Sequence, residues 1–104
     1  MDYLRGAGFE WDNAKSDACY RERGFDFAYV VAAFGDPARV VRPDDRRDYG
    51  EDRYQLIGDI DGRLFVVVYT LRSMTIRIIS ARKANAREAR HYGHRSQENQ
   101  NPLH

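Results

Sequence analysis

The chain reads as a single α+β domain: an antiparallel β-sheet meander carrying two N-terminal helices and one C-terminal helix. Three observations predict it. The first 37 residues hold two helical patterns separated by Gly24 and stopped by Asp36-Pro37. The segment 53–80 holds three strand patterns in close succession, the first two split by Asp61-Gly62. Residues 83–92 are dominated by Ala, Arg and Glu, which are good helix formers. Length sets the domain count, since 104 residues suffice for one core and a domain of that size buries roughly 65% of its unfolded surface.

In chain order, Gly8 to Trp11 is short and aromatic and suits a brief strand. Asp12 is a natural N-cap, so Asn13 to Glu22 is expected as a helix, with Gly24 as the glycine that ends it. From Asp26 to Phe34 the spacing of Phe27, Val30, Val31 and Phe34 makes one apolar helical face. Proline restricts the residue before it to extended geometry, so Asp36-Pro37 closes this segment.

Val40-Val41 predicts a short strand and Pro43 to Gly50 an exposed loop. Alternation over Arg53 to Ile60 sets Tyr54, Leu56 and Ile60 against Arg53, Gln55 and Asp59. Asp61-Gly62 is a two-residue hairpin signal. Leu64 to Leu71 is apolar on both faces and belongs at the centre of the sheet. After Arg72-Ser73, the strand Met74 to Ser80 is expected to set Thr75, Arg77 and Ile79 against Ile76, Ile78 and Ser80. Links this short require antiparallel neighbours. Residues 1–92 form the expected domain, and the polar stretch from Gly93 to His104 reads as a flexible tail.

Composition narrows the function classes. One cysteine, Cys19, excludes an internal disulfide, and neither it nor the histidines at 91, 94 and 104 have zinc-ligand spacing. No cofactor is implied. The longest apolar run is far shorter than the ~20 residues that span a bilayer, so a cytoplasmic protein is expected, with no membrane partner. The net charge of +1 conceals an asymmetry. Between Arg72 and Arg95, seven basic residues face one acid, whereas between Asp44 and Asp61 seven acids face three arginines. A basic terminal third suits a phosphate backbone or an acidic protein, and it also suits a plain solvated helix face.

Glycine-rich phosphate loops, HExxH and GxSxG are all absent from the sequence. What remains is arginine chemistry. Arg77 stands mid-strand among apolar residues, where a charge must face a partner, a cleft or solvent. Arg82 and Lys83 are expected at a strand-to-helix turn, where amides and the helix dipole favour anions. Glu51 and Arg53, two apart, point the same way on an extended chain, as an exposed ion pair or as a base beside a phosphate-holding cation. Trp11, Tyr49, Tyr54 and Tyr69 are base-stacking candidates or core aromatics. Such a set suits RNA cleavage in which the 2′-hydroxyl attacks its own phosphate and arginines stabilise the charge that builds there.

From Phe9 to Tyr92 the sequence resembles the BrnT family of toxins. Phe9-Glu10-Trp11-Asp12 with Lys15 resembles the family's opening FEWD and lysine. Gly24, Phe27, Phe34 and Asp36-Pro37 follow at the family's intervals. Tyr49-Gly50-Glu51-Asp52-Arg53-Tyr54 with Gly58 is similar to its central GEERY and glycine. Arg77 through Ala84, then Arg87-Glu88 and Tyr92, is similar to its closing IRIISARKA, RE and Y.

The resemblance implies a RelE-like fold and a metal-independent endoribonuclease. It also implies a BrnA-like antitoxin with a ribbon-helix-helix domain, and operator DNA reached only through the toxin–antitoxin complex. Carried residue by residue, it makes Lys15, Glu51, Arg53, Arg77 and Arg82 catalytic candidates. Trp11, Arg23, Arg72, Lys83 and Arg87 become RNA-binding candidates.

One departure stands out. Where the family reads Asn-x-x-Lys-His-Gly, this chain has Cys19, Glu22, Arg23 and Gly24. An imidazole that could shuttle a proton is replaced by a guanidinium that cannot. The alternative function is therefore a disarmed relative kept as an antitoxin-binding or corepressor module.

Overall fold

The computed structural model describes residues 8–100. Strand β1 (Gly8–Trp11) leads into helix α1 (Asn13–Arg23). Helix α2 (Phe27–Val30) continues as a 3-10 turn over Val31–Gly35. Strands β2 (Val40–Pro43), β3 (Tyr54–Ile60), β4 (Arg63–Arg72) and β5 (Thr75–Lys83) follow, and helix α3 (Ala86–Gln100) comes last. The five strands form one sheet in the order β1-β5-β4-β3-β2.

Most expected local signals act as the sequence suggests. Asp12 caps α1 by accepting from the Lys15 amide at 3.2 Å, and Gly24 ends the helix with φ +87° while its amide donates to the Tyr20 carbonyl. Asp61 and Gly62 both have positive φ, as the tight β3–β4 hairpin requires.

Four expectations are corrected. The sheet is mixed, because β1 pairs parallel with β5 at its edge. Short links force antiparallel pairing among β3, β4 and β5, and the long path through two helices leaves β1 free to run either way. The second helix has only one α turn before tightening to 3-10 geometry. Three residues per turn then bring Ala33 as well as Val30 into the core, and the Ala33 carbonyl presses on Gly58 of β3.

Third, β5 runs through Arg82 and Lys83, so α3 begins three residues later than expected. Its N-cap is Asn85, whose side chain accepts from the Glu88 amide at 2.8 Å while Glu88 accepts from the Asn85 amide at 2.9 Å. This reciprocal capping box fixes the start of the helix. At its other end α3 continues past Gly93 to Gln100, and residues 101–104 of the expected tail lie outside the described residues.

Fourth, β5 carries a bulge. Val68 pairs with Ser80 and Tyr69 with Ile78, leaving Ile79 as the extra residue. The strand therefore changes phase there. Ser80 joins the face of Arg77 instead of opposing it, and Arg82, five residues beyond Arg77, does the same.

The two faces differ in cover. On one, Phe65, Val67, Tyr69, Ile76, Ile78 and Ala81 pack against α1, α2 and the 3-10 turn, forming the main core with Phe27, Val30 and Phe34. The Cys19 Sγ donates to the Ala81 carbonyl at 3.6 Å, and burial raises its thiol pKa. The other face carries Arg42, Gln55, Val68 and Ser80 in one row and Thr70, Arg77 and Glu10 in the next, by the pairing registers. Helix α3 lies against β2 at one end of this face, the open face in the sense that α1 and α2 pack on the other. Gln55, Val68 and Thr70 on it are buried, the loop before β3 reaching Thr70, while the Arg77 and Glu10 side chains stay partly exposed.

Candidate active site on the open face of the sheet

Five expected residues meet on the open face. Arg77 reaches from β5 beside Thr70 of β4, and its guanidinium lies 3.5 Å from Glu10 of β1. On the other side of Thr70 stands Arg53, immediately before β3, whose Nε contacts the Glu51 carboxylate at 3.1 Å. Arg72 at the end of β4 approaches the other oxygen of Glu51 at 3.6 Å. Two strand spacings separate Arg53 from Arg77, about 10 Å at the backbone.

The loop before β3 holds this arrangement in place. Thr70 Oγ1 donates to the Asp52 carbonyl at 2.6 Å, which pins the loop to the central strand. The Arg53 guanidinium lies 3.9 Å from the Tyr49 ring centroid, so its plane is steadied from a second direction. Buried Asp44 accepts both arms of Arg46 at 2.7 and 2.8 Å, and that hydrogen bonding lowers the aspartate pKa and raises the arginine pKa. Glu51 is thus bracketed by two cations, while among the described residues Arg77 has the Glu10 carboxylate beside it and a side chain 28% exposed.

Arg82, the fifth, is on this face but is engaged elsewhere. Its two terminal nitrogens donate to the two Glu88 oxygens, each at 2.7 Å, in a bidentate pair joining β5 to α3. The hydrogen bond from Arg82 holds the Glu88 pKa down at about 2. The Glu88 side chain is 9% exposed and that of Arg82 40%, so solvent screens part of the interaction. The pair contributes on the order of 2 kcal/mol.

The folded-state value lies below the unfolded one. The contribution is therefore complete above about pH 4.5 and is lost as pH falls toward about 2. Glu88→Gln is expected to lower Tm by roughly 10 °C at neutral pH, with the difference from the parent narrowing in acid. Thermal melts from pH 7 to 2.5 check this, and a constant difference would mean that the ion pair is not what stabilises.

The remaining expected residues are elsewhere. Lys83 pairs with Phe65 and points to the helix-covered face, where it lines a concavity of about 420 Å³ with Tyr20, Arg23, Gly24, Phe25, Asp26 and Tyr29. Arg23 is therefore on the opposite side of the sheet from Arg53 and Arg77. Lys15 is exposed on α1, and Trp11 pairs with Ile78 and packs against the main core. Tyr69 is fully buried and Tyr54 is half-buried against the same core. Arg87 is exposed at the start of α3, beside Arg42 and His91.

Sequence reading missed Glu10, Thr70 and Arg42. The β2–β3 register, which places Arg42 beside Gln55, is the signal that finds the last of these. Among the described residues, no group of three or more His, Cys, Asp or Glu is placed to hold a metal ion. No helix among them is long and apolar enough to cross a membrane.

Arginines and a carboxylate on an open strand face suit a polyanion that is bound and then cut. The family profile described as ribonuclease toxin, BrnT, of type II toxin–antitoxin system matches residues 11–88. The chain belongs to the BrnT family. The match begins at Trp11 and ends at Glu88, so it spans all five open-face residues. Membership gives the chain the character of a toxin-family ribonuclease, with RNA as its target class and an antitoxin as its partner. No curated protein matches the chain.

Proposed function

We propose that this BrnT protein is a metal-independent endoribonuclease whose active site is the open face around Thr70, with Arg53 and Arg77 as the phosphate clamp and Glu51 as the base. The observation that carries the reading is the pairing of two arginines across one buried threonine, with the Glu51 carboxylate held against one of them. A scissile phosphate between the arginines would sit within reach of both forks, and guanidinium geometry matches phosphate oxygens.

The reaction needs little more. Glu51 accepts the proton of the 2′-hydroxyl as its oxygen bonds to the adjacent phosphorus, and the bond from phosphorus to the 5′-oxygen breaks. The departing oxygen takes a proton from water. The products are a 2′,3′-cyclic phosphate and a 5′-hydroxyl end, and charge on the pentacoordinate phosphorus is met by Arg53 and Arg77. Arg72 holds Glu51 from the other side, and Arg82 acts as a positioning residue that docks α3 through Glu88.

The substitutions at positions 22 and 23 favour the active reading over a disarmed one. They lie at the end of α1, on the helix-covered side, away from Glu51, Arg53 and Arg77. Lys83, Tyr20 and Tyr29 share that side with Arg23 and belong to the antitoxin-facing or outer RNA path in this account. The partner is a BrnA-like ribbon-helix-helix antitoxin, operator DNA is contacted only through the complex, the compartment is the cytoplasm, and the architecture is RelE-like.

The chemistry is tested with two oligonucleotides of one sequence, one all-ribose and one with a single 2′-deoxy at the cleavage position. Cutting should stop at the deoxy position and leave a cyclic phosphate in the ribose substrate. Cleavage at the deoxy position would overturn the substrate-nucleophile mechanism.

A further inference from the structure

The open face does not end at the Arg53–Arg77 row. One two-residue step along the strands, about 7 Å, lies the row Arg42, Gln55, Val68 and Ser80, and beyond Arg42 opens a concavity of about 540 Å³ lined by Arg42, Asn85, Arg87, Glu88 and His91. We propose that this concavity is a second phosphate subsite, which holds the RNA backbone one to two nucleotides along from the cleaved bond. The proposal deepens the ribonuclease reading and rests on its claim that RNA lies across this face.

Three features make the concavity fit for a phosphate. Arg42 is pre-set: its Nε and Nη2 both donate to Gln55 Oε1, at 3.0 and 2.9 Å, so the guanidinium is fixed while Nη1 stays outside this clamp. A pre-positioned fork loses less freedom on binding than a loose one. Glu88 does not make the pocket acidic, because Arg82 binds both of its oxygens and Arg42 stands 3.8 Å from one of them. With Arg42, Arg82 and Arg87 set against that one carboxylate, two positive charges remain before His91 is counted. Finally, Arg87 and His91 are four residues apart on α3 and so occupy one helical face, both exposed toward the concavity.

An acidic segment of a protein partner would be attracted by the same charges. Continuity with the Arg53–Arg77 row favours RNA, since a polynucleotide presents phosphates at a regular step that matches two neighbouring rows. The capping box uses the amides of Asn85 and Glu88 internally, and the side chains of Arg42, Arg87 and His91 are the ligand donors proposed here.

The test uses the full chain and the double variant Arg87→Ala/His91→Ala, whose replaced side chains are exposed and leave the Arg82–Glu88 pair intact. The probe is an all-2′-O-methyl RNA hexamer, which cannot be cut, followed by fluorescence polarisation across a salt series. The double variant should bind about five- to tenfold more weakly, with a log–log salt slope shallower by about 0.7 for each phosphate it no longer neutralises. Equal affinity and slope in variant and parent would overturn the subsite even if the parent cleaves RNA. Parent that binds the hexamer with the expected difference but cuts nothing would sustain the subsite and sink the ribonuclease reading. Parent that does not bind the hexamer, or a double variant defective only in binding the antitoxin, would also overturn the proposal.

Discussion

Arg77→Ala should lower kcat/KM for RNA cleavage by about a hundredfold or more while moving Tm by no more than a few degrees. The two halves of that expectation come from different physics. Structurally, the ion pair of Arg77 among the described residues is at 3.5 Å to a Glu10 side chain that is itself 43% exposed, and exposed pairs contribute at most about 1 kcal/mol. Catalytically, a fixed cation facing a phosphate that gains charge is worth about 3–4 kcal/mol when removed. Arg77→Lys should recover only part of the loss, because an ammonium restores the charge without the fork. Steady-state cleavage and thermal melts on the three proteins separate these terms. A variant that loses activity and stability together would demote Arg77 to a structural residue.

The largest effect on stability is expected at Gly58. A Cβ there would lie 2.5 Å from the Ala33 carbonyl oxygen, 3.0 Å from the Ala33 Cβ and 3.1 Å from Leu56 Cδ2. The oxygen belongs to the backbone of the 3-10 turn, which cannot rotate away as a side chain can. Both Ala33 and Leu56 are fully buried, and Asp36 just beyond ties the same turn to β3 by accepting from the Asp59 amide at 2.8 Å and to α3 by accepting from the Tyr92 hydroxyl at 2.7 Å. Gly58→Ala should therefore cost about 3 kcal/mol, the upper part of the range for overpacking. In a chain this size that lowers Tm by some 10–20 °C. Urea unfolding measures it, and a loss under about 1 kcal/mol, below the range for overpacking, would show that the turn slides off β3 easily.

Local signals were legible in the sequence because their causes are local. Asp12 and Gly24 bound α1 through their own hydrogen bonds and backbone angle, and Asp61-Gly62 turns the β3–β4 hairpin by accepting positive φ. What escaped depends on residues far apart in the chain. The parallel docking of β1 joins Gly8–Trp11 to residues 75–78, and nothing within either segment specifies direction. The bulge at Ile79 escaped because the apolar run Ile76, Ile78, Ile79 fits either phase.

That bulge also governs how much of the site could be read. Arg77, Arg53 and Glu51 were legible because a charge beside a buried strand has few places to go. Arg82 and Lys83 looked alike in sequence, yet their adjacency on a strand sends them to opposite faces, one to Glu88 and the other to the pocket beside Arg23. The weight carried by the Glu22-Arg23 departure changes for the same reason, since position 23 is separated from the arginine clamp by the sheet itself. Arg42 gave no signal until the β2–β3 register placed it beside Gln55.

The most direct measurement is cleavage of an end-labelled RNA by the purified protein in excess chelator, run in parallel with Arg23→His and Arg77→Ala. The open-face site requires the parent to cleave, Arg23→His to stay within a fewfold of it, and Arg77→Ala to be inactive while still folded. A folded but inert parent, with activity appearing only in Arg23→His, would contradict it and move the catalytic centre to the pocket shared by Arg23 and Lys83.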